Sequence, residues 1–272
     1  MKHTDTAPLI SIIILTCNQL HYTKECINSI FQFTNENFEM VVIDNASNDG
    51  TLKFLETIPQ THVISNKINK GFAGGCNQGF RAAKGEYIVL LNNDTVVTDG
   101  WLSKMLRCLN NTPFAGIVGP RSKFVIMPQA IPSVPYNTMK DMHKFASEWT
   151  IKHDSQSFVV NNLSGFCMLF KRSLIEQIGG MDEQFNPGYY EDTDFCIRAQ
   201  ISGKKLLVAN DVFVHHFGSS SFKTDRKNRK EIIKKNEKKF FYKWNMTSLS
   251  EINMVVMREK PFNSDRHFIP YL

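Results

Sequence analysis

The chain has 272 residues, of which 42% are hydrophobic and 21% charged, with a formal net charge of +6. That is enough apolar material for one large α/β domain, or a domain with an appendage, and it excludes global disorder. Much of the positive excess lies near the C-terminus in "KTDRKNRKEIIKKNEKK", so the charge is local and does not describe a cleft elsewhere.

Six cysteines stand at positions 17, 26, 76, 108, 167 and 196, none in a CxxC pair. They read as reduced core residues, and a zinc cluster is not expected. No long apolar run suggests a transmembrane helix, and the N-terminal stretch lacks the apolar core of a signal peptide. Cytoplasmic residence is the expectation.

In chain order, "SIIILT" (11–16) is a continuous β-branched run of the kind that forms a buried parallel strand. "HYTKECINSIFQF" follows with Tyr22, Cys26, Ile30 and Phe33 at helical spacing. "EMVVIDN" (39–45) is a second strand, "SNDGTLKFLETI" a capped helix, and "HVISN" a third strand. "GFAGGCNQGFRAAKG" is a Gly-rich turn entering a helix, "YIVLLNND" (87–94) a strand, "DGWLSKMLRCLN" a helix, and "AGIVGP" a strand. Residues 121–160 carry little pattern, and "MPQAIPSVP" reads as a surface loop. "SGFCMLFKRSLIEQIGG" is strand then helix, "YYEDTDFCIRAQISG" a helix with acids in its first turn, and "KKLLVAN" and "DVFVHHF" two strands. Residues 226–244 form a basic helix with Ile232, Ile233, Phe240 and Phe241 as its apolar positions. The alternation predicts a mostly parallel sheet covered by helices on both faces, with its ligand crevice at the carboxyl ends of the strands.

Five stretches carry polar residues to that edge. In "VVIDNASNDG", Asp44 either caps a turn or accepts a hydrogen bond from the ring N–H of a pyrimidine base, while Asp49 reads as a turn or cap residue. In "NKINKGFAGGCNQG", the glycines either let the backbone approach an anionic ligand at a helix N-terminus or mark a close packing contact; the spacing is neither GxGxxG nor a Walker A loop. "LLNNDT" ends a buried strand in a lone carboxylate that suits a hard divalent cation, or a turn. In "GYYEDTDFCIRA", Glu191, Asp192, Asp194 and Arg198 are either a solvated helix face or an acid–base centre desolvated by Tyr189, Tyr190 and Phe195, with Arg198 paired to Asp194 at i+4. "VFVHHFGSSSF" offers a histidine ligand, or a satisfied core histidine, and a Ser-rich loop with hydroxyls for phosphate.

Taken together and in this order, "ILTCNQ", "VVIDNASNDGT", "NKGFAGGCNQG", "LLNNDT", "GFCMLFKRSLIEQIGGMDEQF", "YYEDTDFCIRA" and "VHHFGSSS" resemble the family 2 glycosyltransferases of GT-A fold, nearest their rhamnosyltransferase-like branch, over roughly residues 10 to 222. The resemblance implies an α/β, GT-A-type (Rossmann-like) mostly parallel sheet flanked by helices, a domain over 1–222, and a basic helical extension over 223–272. It implies an inverting transfer of a sugar from a UDP- or dTDP-linked donor to an acceptor hydroxyl, in cell-surface polysaccharide or glycoconjugate synthesis. Thr16, Asn18, Asp44 and Asn93 would border the nucleoside, and Asn69, Gly71, Phe72 and Asn77 would line its base and ribose. Asp94 would hold Mn²⁺ or Mg²⁺ with His215, or with His216 in the alternative register. Asp192 would be the catalytic base, with Glu191 nearby. The metal-binding DxD of the family reads Asn92-Asn93-Asp94, so one carboxylate is an amide and the nucleotide phosphates must supply more of the ligands.

Two rivals remain: a sugar-nucleotide pyrophosphorylase, which should carry a Gly-rich, Arg-containing loop where this chain has "TCNQLHY", and a non-catalytic nucleotide- or carbohydrate-binding module. The acceptor is open among a glycan, a lipid-linked intermediate, a peptide and a small molecule. The basic segment reads first as a solvated face and second as a peripheral contact with anionic lipid at the inner face of a membrane; nucleic acid is not expected as a partner.

Overall fold

In the computed structural model, residues 7–218 and 226–271 are described. The first half alternates as the hydrophobic runs require: β1 (Ile10–Thr16), α1 (Leu20–Phe33), β2 (Phe38–Asn45), α2 (Thr51–Leu55), β3 (Thr61–Asn66), α3 (Gly71–Ala82), β4 (Tyr87–Asn92), a two-residue β5 (Thr95–Val96), α4 (Trp101–Asn111) and β6 (Ala115–Arg121). The second half adds α5 (Met139–Lys152), β7 (Ser157–Val160), β8 (Cys167–Lys171), α6 (Arg172–Ile178), α7 (Glu191–Ile201), β9 (Lys205–Phe213), β10 (His215–His216), α8 (Arg226–Trp244), α9 (Ile252–Glu259) and α10 (Ser264–His267).

Eight strands form one sheet in the order β3-β2-β1-β4-β8-β6-β9-β7. β1 to β4 are mutually parallel, and β6 pairs in parallel with β9. β8 runs against both β4 and β6, and β7 runs against β9. One face of the sheet packs Ile12, Ile14, Met40 and Val42 on α1 and α4 through Ile27, Trp101 and Met105. The other packs Ile13, Val41 and Leu90 on α3, α6 and α7 through Phe80, Ile175 and Phe195. Strands buried on both faces explain their unbroken apolar runs.

Two sequence expectations change, and the tail adds structure of its own. The pattern-poor stretch 121–160 contains α5 and β7, whose fully buried residues are few: Met142 and Ala146 in α5 and Val160 in β7. "KKLLVAN" and "DVFVHHF" belong largely to one strand, β9, which pairs Ala209 with Pro120 and then Phe213 with Arg121, so Asn210, Asp211 and Val212 bulge between adjacent rungs. The tail beyond α8 is folded: Phe240, Trp244, Met246, Ile252 and Val255 join Phe185, Ile197 and Ile201 in one cluster that seals α8 and α9 onto α7. Within α8 it is Asn236, Phe240 and Trp244 that are buried, whereas Ile232, Ile233 and Phe241 are half-buried. The division at 222/223 and the serines 219–221 lie outside the described residues. All six cysteines are free, with Cys17 and Cys108 half-buried and the other four buried.

The glycines of α3 serve packing. A Cβ on Gly79 would stand 2.4 Å from Ile13 Cγ2, a stiff branched methyl in the core, whereas on Gly75 it would meet the flexible end of Leu15. Gly79→Ala is therefore expected to lower stability by about 1–3 kcal/mol through overpacking, while Gly75→Ala stays near neutral, as read from denaturant midpoints.

Candidate active site

The carboxyl ends of β1, β2 and β4 meet at one edge. Thr16 and Asp44 are register partners at the ends of β1 and β2. Thr16 Oγ1 lies 3.0 Å from Thr23 Oγ1, and the Asn93 amide donates to both hydroxyls at 3.2 and 3.0 Å. Asn18 takes a left-handed backbone (φ 60), and its Oδ1 accepts from the Asn48 N–H at 2.8 Å. Asp49 caps twice, accepting from the Leu20 N–H at 3.0 Å and the Thr51 N–H at 3.1 Å, as a turn residue should. Asp44 is buried; one oxygen accepts from the Ser47 N–H at 3.3 Å, and the other, Oδ1, has no hydrogen-bond partner. A buried carboxylate oxygen left open in this way is an acceptor awaiting a donor.

The loop before α3 closes over these strand ends. Asn69 donates to Cys17 Sγ at 3.5 Å and accepts from the Gly71 N–H at 2.8 Å, while Asn45 donates to the Gly71 carbonyl at 3.2 Å. Of the two readings of these glycines, the geometry at the start of α3 matches the close packing contact. The first N–H groups of the helix are committed to Asn69 and to the Pro187 carbonyl (Phe72 N–H, 3.0 Å), and a side chain at Gly71 would collide with Asn186. Asn77 is also internal: fully buried, it donates to the Met181 carbonyl and to Glu183, both at 2.9 Å, and accepts from the Met181 N–H at 2.8 Å. Its amide ties α3 to the segment leading to α7. Phe72 reaches the Gly165 backbone beside Asp192.

Asp94 follows β4. The two-rung antiparallel pairing of β5 with β10 sets His216 opposite Thr95 and His215 opposite Val96, and the Phe217 N–H donates to the Asp94 carbonyl at 3.0 Å. As a result His216 Nε2 stands 3.1 Å from Asp94 Oδ1, outside hydrogen-bond geometry. His216 Nδ1 lies 2.8 Å from the Phe124 carbonyl, which only an N–H at that position can satisfy, and Nε2 is the ring atom that faces Asp94. Cis ligands of an octahedral divalent ion at about 2.1 Å stand about 3 Å apart, so Asp94 and His216 suit such an ion. Thus His216, rather than His215, faces the carboxylate. The His215 ring bonds Tyr136 Oη at 2.7 Å, and burial lowers its pKa to about 4, so it is neutral at physiological pH. Among the described residues no group of three His, Cys, Asp or Glu side chains could hold a metal by itself.

The acid-rich stretch is not a solvated face. Glu191, Asp194 and Arg198 are buried and Asp192 is half-buried at the N-terminus of α7. Arg198 Nε donates to Asp194 Oδ2 at 2.8 Å. Asp192 accepts from the Gly165 N–H at 2.9 Å through Oδ2 and from the Thr193 N–H at 2.7 Å through Oδ1. Burial pushes its carboxyl above the ordinary range against the pull of those two N–H groups. Burial, and then the neighbouring Asp192, push Glu191 well above its ordinary value, so Asp192 is the member of the pair that ionises first.

The two halves meet at consecutive residues. The Gly165 N–H holds Asp192, and the Phe166 ring stacks on His216 with centroids 5.0 Å apart, while the Phe166 carbonyl accepts from the Asn92 N–H at 2.8 Å. A separate depression of about 280 Å³ between α4 and β9, lined by Arg107, Cys108 and Asp211, contains none of these residues.

The profile of glycosyl transferase family 2 matches residues 11–179. Poly-β-1,6-N-acetyl-D-glucosamine synthase of Staphylococcus epidermidis is 24% identical over 180 residues, which are 64% of this chain and 42% of that enzyme. This chain therefore spans about two fifths of that relative's length. Among solved structures, the mannosyltransferase PcManGT of Pyrobaculum calidifontis, in complex with GDP-Man and Mn²⁺, superposes with a TM-score of 0.64 at 18% identity, covering 94% of this chain and 70% of that one. The S. aureus TarS fragment 1–349 with UDP-GlcNAc superposes with a TM-score of 0.61 at 16% identity, covering 92% and 71%. The fold is thus that of the GT-A glycosyltransferases. With a profile match over most of its length, the chain belongs to glycosyl transferase family 2.

Proposed function

We propose that the protein transfers a sugar from a nucleoside-diphosphate donor to an acceptor hydroxyl in a single displacement that inverts the anomeric carbon, in the making of a surface polysaccharide or glycoconjugate. The observation that carries the reading is the convergence of Asp94 and Asp192 on the adjacent residues Phe166 and Gly165, one through His216 and one through a backbone N–H.

In this reading the open oxygen of Asp44 accepts the ring N–H of a uracil, a thymine or a guanine. Thr16, Asn18 and Asn93 form the nucleoside floor, and Asn69 with Gly71 forms the flap over it. Asp94 and His216 would hold Mn²⁺ or Mg²⁺ together with the diphosphate oxygens; when bound, the ion neutralises charge on the leaving group. Asp192 takes the proton from the acceptor hydroxyl, whose oxygen attacks the anomeric carbon from the face opposite the diphosphate. Glu191, pushed well above the ordinary carboxyl range by burial and by Asp192, stands behind it. The C–O bond to the diphosphate breaks as the new glycosidic C–O bond forms. A glycan, a lipid-linked intermediate, a peptide or a small molecule could supply the hydroxyl. No described helix is long and apolar enough to cross a membrane. The reading keeps the protein cytoplasmic, with the exposed Lys230, Lys234, Lys235 and Lys238 of α8 as the face for a peripheral contact with anionic lipid.

Asp192→Asn should reduce turnover by at least about 10²-fold while the affinity for nucleoside diphosphate stays nearly unchanged. A variant at full turnover would remove Asp192 from the base role. Because burial raises the Asp192 carboxyl, activity should rise with pH through a limb above the ordinary aspartate range, and that limb should vanish in Asp192→Asn. Product NMR should show the inverted anomer.

Calorimetry with UDP, dTDP and GDP, with and without Mn²⁺, tests the donor side. Asp94→Ala and His216→Ala should each lose at least about tenfold of the Mn²⁺-dependent affinity, and His215→Ala should keep it. Asp44→Ala should level the preference among the three nucleotides; an unchanged preference returns Asp44 to a turn role.

A further inference from the structure

The segment before Asp192 holds an unusual backbone. Tyr189 and Tyr190 are both left-handed, with φ of 75° and 79°, a region that bulky L-residues avoid. Such a pair persists only where its surroundings over-determine it. Here the surroundings are one face of α8. The Arg229 guanidinium lies over the Tyr189 ring at 5.7 Å. Tyr190 Oη donates to Glu237 Oε1 at 3.0 Å, and its ring centroid is 5.1 Å from that of Phe240. The buried Asn236 amide donates to the Gly188 carbonyl at 2.8 Å and to the Phe185 carbonyl.

Farther along the same face α8 reaches the root of α7. Lys243 Nζ is 2.5 Å from Asp194 Oδ1 and 2.8 Å from Asp182 Oδ2, and Trp244 Nε1 donates to Asp194 Oδ1 at 3.0 Å. Arg198 completes the group, donating to Asp194 and to the carbonyls of Ile178 at 2.7 Å and Gly180 at 2.6 Å. Asp194 stands two residues after Asp192, hence on nearly the opposite side of the helix. Rooting Asp194 therefore sets the rotation of α7 about its axis, and the Gly188–Tyr190 turn sets where the helix starts. Those two quantities fix where the Asp192 carboxyl points. Positions 229, 236, 237, 240, 243 and 244 recur at helical spacing, so one face of α8 delivers all of these contacts.

We propose that this face of α8 is a clamp that aims the acceptor-side carboxylate, with Asn236, Glu237 and Lys243 as positioning residues for Asp192. The inference rests on the reading of Asp192 as the base. Lys243 holds Asp182 and Asp194, whereas Asn236 holds the 185–188 segment that also packs on Gly71 and Phe72, so Lys243 is the position whose loss moves the base with the donor side left in place. A displacement of about 1 Å from a productive geometry can cost about 10²-fold in rate.

The test uses the full chain with Asn236→Ala, Glu237→Ala, Lys243→Met and Lys243→Arg. Amide exchange over residues 188–195 should be at least tenfold faster in Asn236→Ala and Lys243→Met, with peptides covering β1 and β4 unchanged, and Lys243→Arg should restore protection. Glu237→Ala, at a half-buried position, serves where a buried variant fails to fold. In Lys243→Met, release of UDP from UDP-GlcNAc or of GDP from GDP-mannose should lose at least tenfold in kcat with donor KM within twofold, and Lys243→Arg should recover it. Unchanged exchange at 188–195, or full turnover in a variant whose exchange has quickened, overturns the clamp. Full turnover in Asp192→Asn instead sinks the base reading and leaves the exchange result standing, so the two failures are distinguishable.

Discussion

The site depends on one reversal of direction. β8 enters the sheet antiparallel between β4 and β6, so its first residue lies at the carboxyl edge of the parallel strands. The chain that precedes it, through Gly165 and Phe166, is thereby delivered to the edge where β1, β2 and β4 end. Were β8 parallel, those residues would emerge at the far edge and neither Asp192 nor His216 would have its support. α7 obeys the same geometry. It leads into β9, which runs parallel to β6, so α7 begins at the ligand edge and ends at the other. Its N-terminus, where the backbone dipole favours negative charge, carries the acidic pair toward the donor side.

The electrostatics of the two sides differ in kind. The proposed nucleoside floor is built of Thr16, Thr23 and Asn93, joined by neutral hydrogen bonds. The N-terminus of α7, the proposed acceptor side, holds three acids within one helical turn, and they are handled differently. Asp194 is neutralised by Arg198, Lys243 and Trp244. Glu191 is pushed well above the ordinary carboxyl range by burial, and Asp192 has the Gly165 and Thr193 N–H groups as donors and a partly exposed edge. Pairing one acid with cations while desolvating another is how neighbouring carboxyl groups acquire separate tasks.

Much of this was legible in the residues. The unbroken runs at 11–16, 39–45 and 87–92 announce strands buried on both faces, and polar residues at their ends announce the edge. The i,i+4 spacing of Asp194 and Arg198 announces their pair. What escaped lacks a local signature. α5 has a diluted apolar face, and the helices beyond α8 are short, at 8 and 4 residues. Asn77 sits among glycines that invite a ligand reading, yet its partners lie about a hundred positions away at Met181 and Glu183. The α8 face did leave a trace, in the helical recurrence of Asn236, Phe240 and Trp244, but its polar members do not register as a packing stripe.

The bulge of Asn210, Asp211 and Val212 in β9 lies just upstream of the β5–β10 pairing that sets His216 beside Asp94. Successive side chains on a strand alternate between faces, and a bulge of odd length inverts the alternation beyond it. The choice between neighbouring imidazoles is therefore a matter of counting, settled by which of them falls opposite Thr95. Sliding that pairing by a single position would present His215 where His216 now stands. In chains built on this plan, the ligand's address along the strand and the register of the pairing must change together.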